Sequence, residues 1–411
     1  MPCDFMRCHA LSFVLFTLMA GGPAHAEEGL TPRLGILQHT PEHLQENQDA
    51  GAQVVVISLA WDRAEPAMGQ FSASYFEQVR SSIEACRKLG YDIAVDPGLQ
   101  YPPAWIFQLP HSRFVNQYGR AFASTKVGEN IPNAVFNQAI RDRQENVLRH
   151  LLKEIGPELT QLRLGWMKYG ELAFPLHTFE NEINCYWGFD EIARGRVPGL
   201  PPDLEPCPTG DWRPGQPSPH HARARAFLHW YLGALQNYHD WQIATARKYT
   251  EAPLAMLYPS WGLRPSHGEA ALEHDLDGST SPEINGELQR GLDLERLVAG
   301  IRDTRVIVYC TWLDTSPAFS QDDSPDRSRW SPAHYLSTLA AEHRPPLHAW
   351  AENTGGGDSA VLSLCQDRIQ NYGFRGFVWA FERDLYDGQP PEINDFAEFS
   401  RRLRGPISPD H

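Results

Sequence analysis

Two glutamates stand where short apolar runs stop. Glu171 follows LTQLRLGW (159–166) in the stretch LRLGWMKYGELAFP, and Glu352 ends the run PLHAWAEN (346–353). Carboxyl groups delivered by two different strand ends can face each other across one pocket. Hydrolysis of a glycosidic bond needs such a pair, one acid to protonate the leaving oxygen and one carboxylate to attack the anomeric carbon or to activate water. Either glutamate taken singly reads better as a solvated charge or an ion-pair partner; the pairing is what favours chemistry. For such a pair to work near neutral pH, Glu171 must have a raised pKa and Glu352 must stay ionised, through burial and the charge of its partner. The aromatic residues near strand ends, Trp105, Tyr169, Trp261, Trp312 and Trp379, offer faces for a sugar ring, and Gln100, Asn133 and Asn353 offer hydrogen bonds to hydroxyls. The expected partner is an oligosaccharide or polysaccharide.

Other chemistries lack their residues. The chain has no G-x-S-x-G elbow, no P-loop and no H-E-x-x-H. His39 and His43, and the adjoining His220 and His221, have no third ligand at a recognisable spacing, and no C-x-x-C occurs, so neither a metal nor a cofactor is expected.

The elements that must position these groups are legible as eight apolar runs: LGILQ (34–38), VVVISLAW (54–61), YDIAVDPG (91–98), LTQLRLGW (159–166), LAMLYPSW (254–261), RVIVYCTW (305–312), PLHAWAEN (346–353) and FRGFVWAF (374–381). Near-continuous apolar strands suit a sheet covered on both faces. Amphipathic helical patterns lie between several of them. In 75–90, Phe76, Val79, Ile83, Cys86 and Leu89 share one face and Gly90 can end the helix; 226–249 is a second such stretch. The alternation predicts an α/β fold, a (β/α)8 TIM barrel with long βα loops, and the lack of G-x-G-x-x-G after the first strand fits it. Irregular segments 99–137, 174–220 and 262–290 each follow a strand, on the side where such barrels build their sites. Asp190, Glu191 and Asp211 are expected to keep the 174–220 insertion solvated.

The bulk numbers add boundaries. Residues 1–26 run from a start containing Arg7 through the apolar LSFVLFTLMAGG to AHA, the order of a cleaved secretory signal peptide, so a secreted or periplasmic protein is expected, starting near Glu27 after cleavage near Ala26. The barrel is expected over 27–404, with 405–411 as a tail. A formal charge of −15 argues against nucleic acid or an anionic membrane as partner. Cys185 and Cys207 bracket a Pro/Gly-rich loop and read equally as a bridge or as buried thiols.

The run 60–106 resembles the family-42 glycoside hydrolases, microbial β-galactosidases of the large retaining barrel clan. The likeness rests on Trp61, Glu65, Pro66, Gly69 and Phe71, then Pro102, Pro103 and Trp105, with NQYGR (116–120) and IPNAVFNQAIRD (131–142) following, and covers most of 34–175. The resemblance implies Glu171 as acid/base and Glu352 as nucleophile, cleaving β-glycosidic, β-galactoside-like bonds with retention. Clan members normally carry Asn before the acid/base, against the sugar 2-hydroxyl; this chain has Gly170. A second resemblance, in GELAFP (170–175), FLHWYLGALQNYHD (227–240), VYCTWLD (308–314) and AENTGGGD (351–358), is to the family-14 β-amylases, inverting α-glucan hydrolases, although GLQYPPAWI lacks their loop after the third strand. The alternatives are therefore an inverting β-amylase-like enzyme and a non-catalytic carbohydrate-binding barrel.

Overall fold

Each apolar run becomes a strand. In the computed structural model, which describes residues 31–280, 282–355 and 360–404, these are β1 (Arg33–Leu37), β2 (Val54–Ser58), β3 (Asp92–Asp96), β4 (Gln161–Leu164), β5 (Leu254–Tyr258), β6 (Val306–Cys310), β7 (His348–Glu352) and β8 (Gly376–Trp379). They close into one barrel in chain order, with neighbours parallel and β8 paired to β1. The expected signal segment 1–26 and the tail 405–411 lie outside the described residues.

Side chains alternate between two apolar compartments because successive strand residues point to opposite faces. Val54, Val56, Ala94, Ala255, Leu257, Ile307, Tyr309, Trp350 and Val378 fill the barrel interior as one cluster. The largest of these, Trp350, lies opposite Gly376 in the β7–β8 register, where a Cβ would come within 2.3 Å of the indole. The glycine leaves the room that the ring takes.

The helices cover the outside. They are α1 (Leu44–Asp49), α2 (Trp61–Ala64), α3 (Ala73–Lys88), α4 (Gln138–Ile155), α5 (Ala222–Arg247), α6 (His267–Leu272), α7 (Pro282–Gln289), α8 (Leu294–Gly300), α9 (Pro332–Glu342), α10 (Ala360–Tyr372) and α11 (Ile393–Arg404). Local chemistry sets their ends. Ser72 accepts a hydrogen bond from the Tyr75 amide at the start of α3, Asn137 does the same for Ala139 at the start of α4, and Gly156 ends α4 at φ 85°. In α5, Phe227, Tyr231, Leu235, Tyr238 and Gln242 are all buried and recur at helical spacing.

The long loops after β3 and β4 are packed rather than loose. Phe174 stacks on Tyr231 with ring centroids 4.2 Å apart, Phe136 stacks on both Phe174 and Trp230, and the Tyr231 hydroxyl accepts from the Trp187 amide and donates to the Gln289 carbonyl. The expectation that Asp190 solvates its loop is corrected. It is only 4% exposed and accepts from the Ile192 and Ala193 amides and from Asn133, bracing the loop from within. Asp211 instead pairs with Arg194 and Arg196, and Arg196 also pairs with Glu191. The 262–290 segment, expected to be irregular, contains α6 and α7. Cys86, Cys185, Cys207, Cys310 and Cys365 are all free thiols.

Candidate active site

Glu352 is the last residue of β7 and shares the inward face with Trp350. Only 8% exposed, it accepts through Oε2 from Arg163 Nη2 at 2.7 Å and from the Tyr309 hydroxyl at 3.2 Å. Arg163 rises from the inward face of β4 and lies with its guanidinium 5.0 Å from the Tyr309 ring centroid. No hydrogen bond from a described residue engages Oε1 of Glu352. Burial opposes the Arg163 charge, but the attraction of Glu352 and Tyr309 outweighs it and holds the guanidinium above its ordinary pKa. Burial also lifts the Glu352 carboxyl, against the pull of Arg163 and Tyr309. Both shifts are upward, and the proton of the pair stays on the arginine, whose guanidinium is far more basic than any carboxylate.

Glu171 arrives by a different route. After β4 the chain turns at Gly165 (φ 132°), where a Cβ would lie 2.3 Å from the Gly170 carbonyl oxygen, a contact only glycine allows. Gln242 of α5 grips this turn, accepting from the Gly165 amide at 2.8 Å and donating to its carbonyl at 3.2 Å. The segment then folds back on itself: the Trp166 amide bonds to the Gly170 carbonyl, the Met167 amide to Glu171, and the Leu172 amide to Leu257 at the end of β5. Glu171 is thereby fixed on both sides by backbone bonds at the barrel mouth. Its Oε1 accepts from the Thr311 hydroxyl, just past β6, at 2.5 Å. Burial raises its carboxyl to about 7; the Thr311 bond, Arg290 and Arg163 oppose this, and the Glu352 charge adds to it. The two glutamates thus differ in partner. One has a guanidinium in contact; the other has a hydroxyl.

The remaining sequence candidates divide by position. Gln100 is at the site: buried, it donates from Nε2 to Asp96 Oδ2 at 2.7 Å, and its amide lies against Gly170, where a Cβ would come 3.1 Å from Nε2. The volume a side chain at 170 would need is taken by Gln100. Tyr169 stands beside Glu171, half exposed. Trp312 follows Thr311 and is partly exposed; Trp261, after β5, is partly exposed with the Arg264 guanidinium 5.4 Å from its ring centroid. Asn353 is buried and accepts from the Ala380 amide at 2.8 Å, tying the ends of β7 and β8. Three further candidates make structural contacts. Trp105 packs edge-on against Trp61 and donates to the Glu65 carbonyl. Asn133 is fully buried, bonded to Asp190 and the Phe136 amide, and braces two loops. Trp379 falls on the outward face of β8, against Phe377 of the same strand and Phe396 of α11, because Gly376 and Val378 take the inward positions.

Sequence reasoning missed Arg163, Tyr309, Thr311 and Asp96. A charged residue inside LTQLRLGW was the available signal for Arg163, since an isolated charge in a buried strand requires a partner. Of the histidines, His43 faces Thr40 and Glu382, and His221 faces Asp275. A cleft of about 340 Å³ in the outer loops, lined by Phe107, Arg113 and Phe189, includes neither glutamate.

No protein-family model matches the chain, and no curated protein matches it in sequence. Solved structures share its fold. The catalytic domain of β-amylase from Paenibacillus polymyxa aligns at 14% identity and TM-score 0.66, covering 92% of this chain and 99% of that one. A β-galactosidase from the haloarchaeon Halorubrum lacusprofundi aligns at 15% identity and TM-score 0.57, covering 90% of this chain and 58% of that one. A catalytic mutant of Gan42B, a GH42 β-galactosidase from G. stearothermophilus, aligns at 13% identity and TM-score 0.58, covering 92% and 57%. The chain therefore spans little more than half the length of these β-galactosidases. The two groups of enzymes that the sequence motifs resemble, β-amylases and family-42 β-galactosidases, are thus also neighbours of this closed eight-stranded barrel in fold.

Proposed function

We propose that the protein is a glycoside hydrolase that cleaves β-glycosidic, β-galactoside-like bonds with retention of configuration. The observation that carries the reading is the unequal environment of the two glutamates. Glu171, raised to about 7 with no cation among the described residues in hydrogen-bond contact, holds a proton to give. Glu352, anchored through Oε2 to Arg163 and Tyr309, holds a charge and keeps Oε1 for bond formation. In the first step Glu171 protonates the glycosidic oxygen while Glu352 attacks the anomeric carbon. In the second, Glu171 takes a proton from the water that displaces Glu352. The Arg163 guanidinium favours the ionised form of Glu352 against the burial that lifts its carboxyl, and an ionised carboxylate is what attack on the anomeric carbon requires.

A second reading rests on a separate observation, the near-complete coverage of the β-amylase catalytic domain. In it Glu352 activates water and configuration inverts. Proton NMR of the first-formed anomer, over a panel of β-galactosides, other oligosaccharides and aryl glycosides, separates the two. Retained configuration is expected, with turnover reduced by at least about a hundredfold in Glu171→Gln and Glu352→Gln. The parent's rate should fall as pH rises through about 7, where Glu171 loses its proton, and this limb should vanish in Glu171→Gln. An inverted first product would transfer the protein to the second reading. Saccharide binding without any turnover would make it a binding barrel.

A further inference from the structure

Two residues before Glu171, Tyr169 occupies the left-handed region at φ 59° yet is 51% exposed. An aromatic residue rarely adopts this backbone, and the conformation persists only where the surroundings enforce it. They do so here from the loop after β3. The Tyr169 amide donates to the Gly128 carbonyl at 2.7 Å, and its hydroxyl donates to Glu129 Oε1 at 2.6 Å. Glu129 is itself held by Lys168 at 3.1 Å and by the Ser124 hydroxyl at 3.0 Å. Gly128 (φ 76°) is pinched between two rings, since a Cβ there would lie 3.1 Å from Tyr169 and 3.4 Å from Tyr101. Lys168 Nζ lies 4.7 Å from the Tyr169 ring centroid. The result is a ring clamped at its hydroxyl, its edge and its backbone, with Lys168 over one face and the residue half exposed.

Its place relative to the two glutamates gives the ring a direction. Glu352 is nearly buried at the end of β7, whereas Glu171 is partly exposed on the segment that folds over β4. A sugar whose anomeric carbon meets Glu352 lies deep, and an oxygen protonated by Glu171 leads toward solvent, where Tyr169, two residues from the acid, is an exposed aromatic residue. Resting on the glycosidase reading above, we propose that Tyr169 is the platform for the leaving group, and that the natural substrate therefore carries a sugar ring on that side: a bond between two sugars rather than to an alkyl or aryl alcohol. The C–H face of a pyranose stacks on an aromatic ring as other apolar faces do, and a pre-clamped ring loses little freedom on binding.

The test compares one oligosaccharide that the parent cleaves with the methyl glycoside of the same sugar and configuration, whose leaving oxygen needs the same protonation from Glu171 but carries no ring. In Tyr169→Ala, kcat/KM on the oligosaccharide should drop about tenfold more than on the methyl glycoside. Tyr169→Phe, which keeps the ring and loses the Glu129 bond, should stay within about threefold of the parent on the oligosaccharide. Equal losses on both substrates in Tyr169→Ala would overturn the proposal, since the ring would then serve only to place Glu171. So would no loss on either, or a Tyr169→Phe loss as large as that of Tyr169→Ala. A parent inert on every saccharide and methyl glycoside would sink the glycosidase reading, and the platform with it; that failure appears in the parent and not in the variants.

Discussion

At the scale of single residues, Arg163 decides how Glu352 behaves. It crosses from β4 to β7 inside the barrel and contributes one short bond to the carboxylate. Removing one partner of a buried pair leaves the other uncompensated, at a typical cost of about 3–5 kcal/mol. Arg163→Met is therefore expected to lower the urea midpoint markedly and to push the Glu352 carboxyl still higher. Since Glu352 must be ionised to act, the acid limb of the kcat/KM profile should move to higher pH. An unmoved acid limb in a folded variant would show that Arg163 does not hold the Glu352 charge. The Gly170–Gln100 contact is a residue-scale feature of another kind. The sequence made Gly170 look like a missing side chain, but the amide of Gln100, from the end of β3, fills that place. Such an exchange between residues 70 positions apart cannot be read from one chain, because nothing local links them.

At the scale of elements, the strands were legible and the returns between them were not. Continuous apolar runs such as VVVISLAW can be satisfied only by burial on both faces, and all eight runs form strands, seven within their expected spans and β1 beginning one residue early at Arg33. The same logic concealed Arg163, read as part of a strand and not as a group needing a partner. Helices α6 and α7 escaped because six and eight residues carry little periodicity, and α6 starts from Ser266 at φ 70° instead of a recognisable cap. The turn after β4 is the element on which the site most depends. Gly165→Ala would set a methyl 2.3 Å from the Gly170 carbonyl and strain a backbone at φ 132°. The variant is expected to keep the barrel's far-ultraviolet circular dichroism while losing at least about tenfold in kcat, as small misplacements of catalytic groups do. Full activity would mean that the turn does not set the position of Glu171.

At the scale of the whole molecule, a closed barrel leaves no strand edge exposed, and the acidic surface of net charge −15 suits a neutral ligand better than a polyanion. We propose that the chain is exported after loss of residues 1–26. Intact-mass measurement of the periplasmic or secreted protein should give a start near Glu27, and recovery of the chain with Met1 intact in a membrane fraction would contradict it. Among the described residues no helix is long and apolar enough to cross a membrane.

The seating of Glu171 also has a thermodynamic side. Its carboxyl titrates near 7 in the folded barrel and at about 4.3 in an unfolded chain, so between those values folding takes up a proton. The folded state then binds more protons than the unfolded one, and its stability must fall as pH rises across that interval. Below it the acid is neutral in both states and costs nothing; above it the barrel carries a charge it has partly desolvated. The same placement that keeps a proton ready for a leaving oxygen thus makes this group's share of the stability depend on pH, greatest on the acidic side, where Glu171 is protonated for its first step.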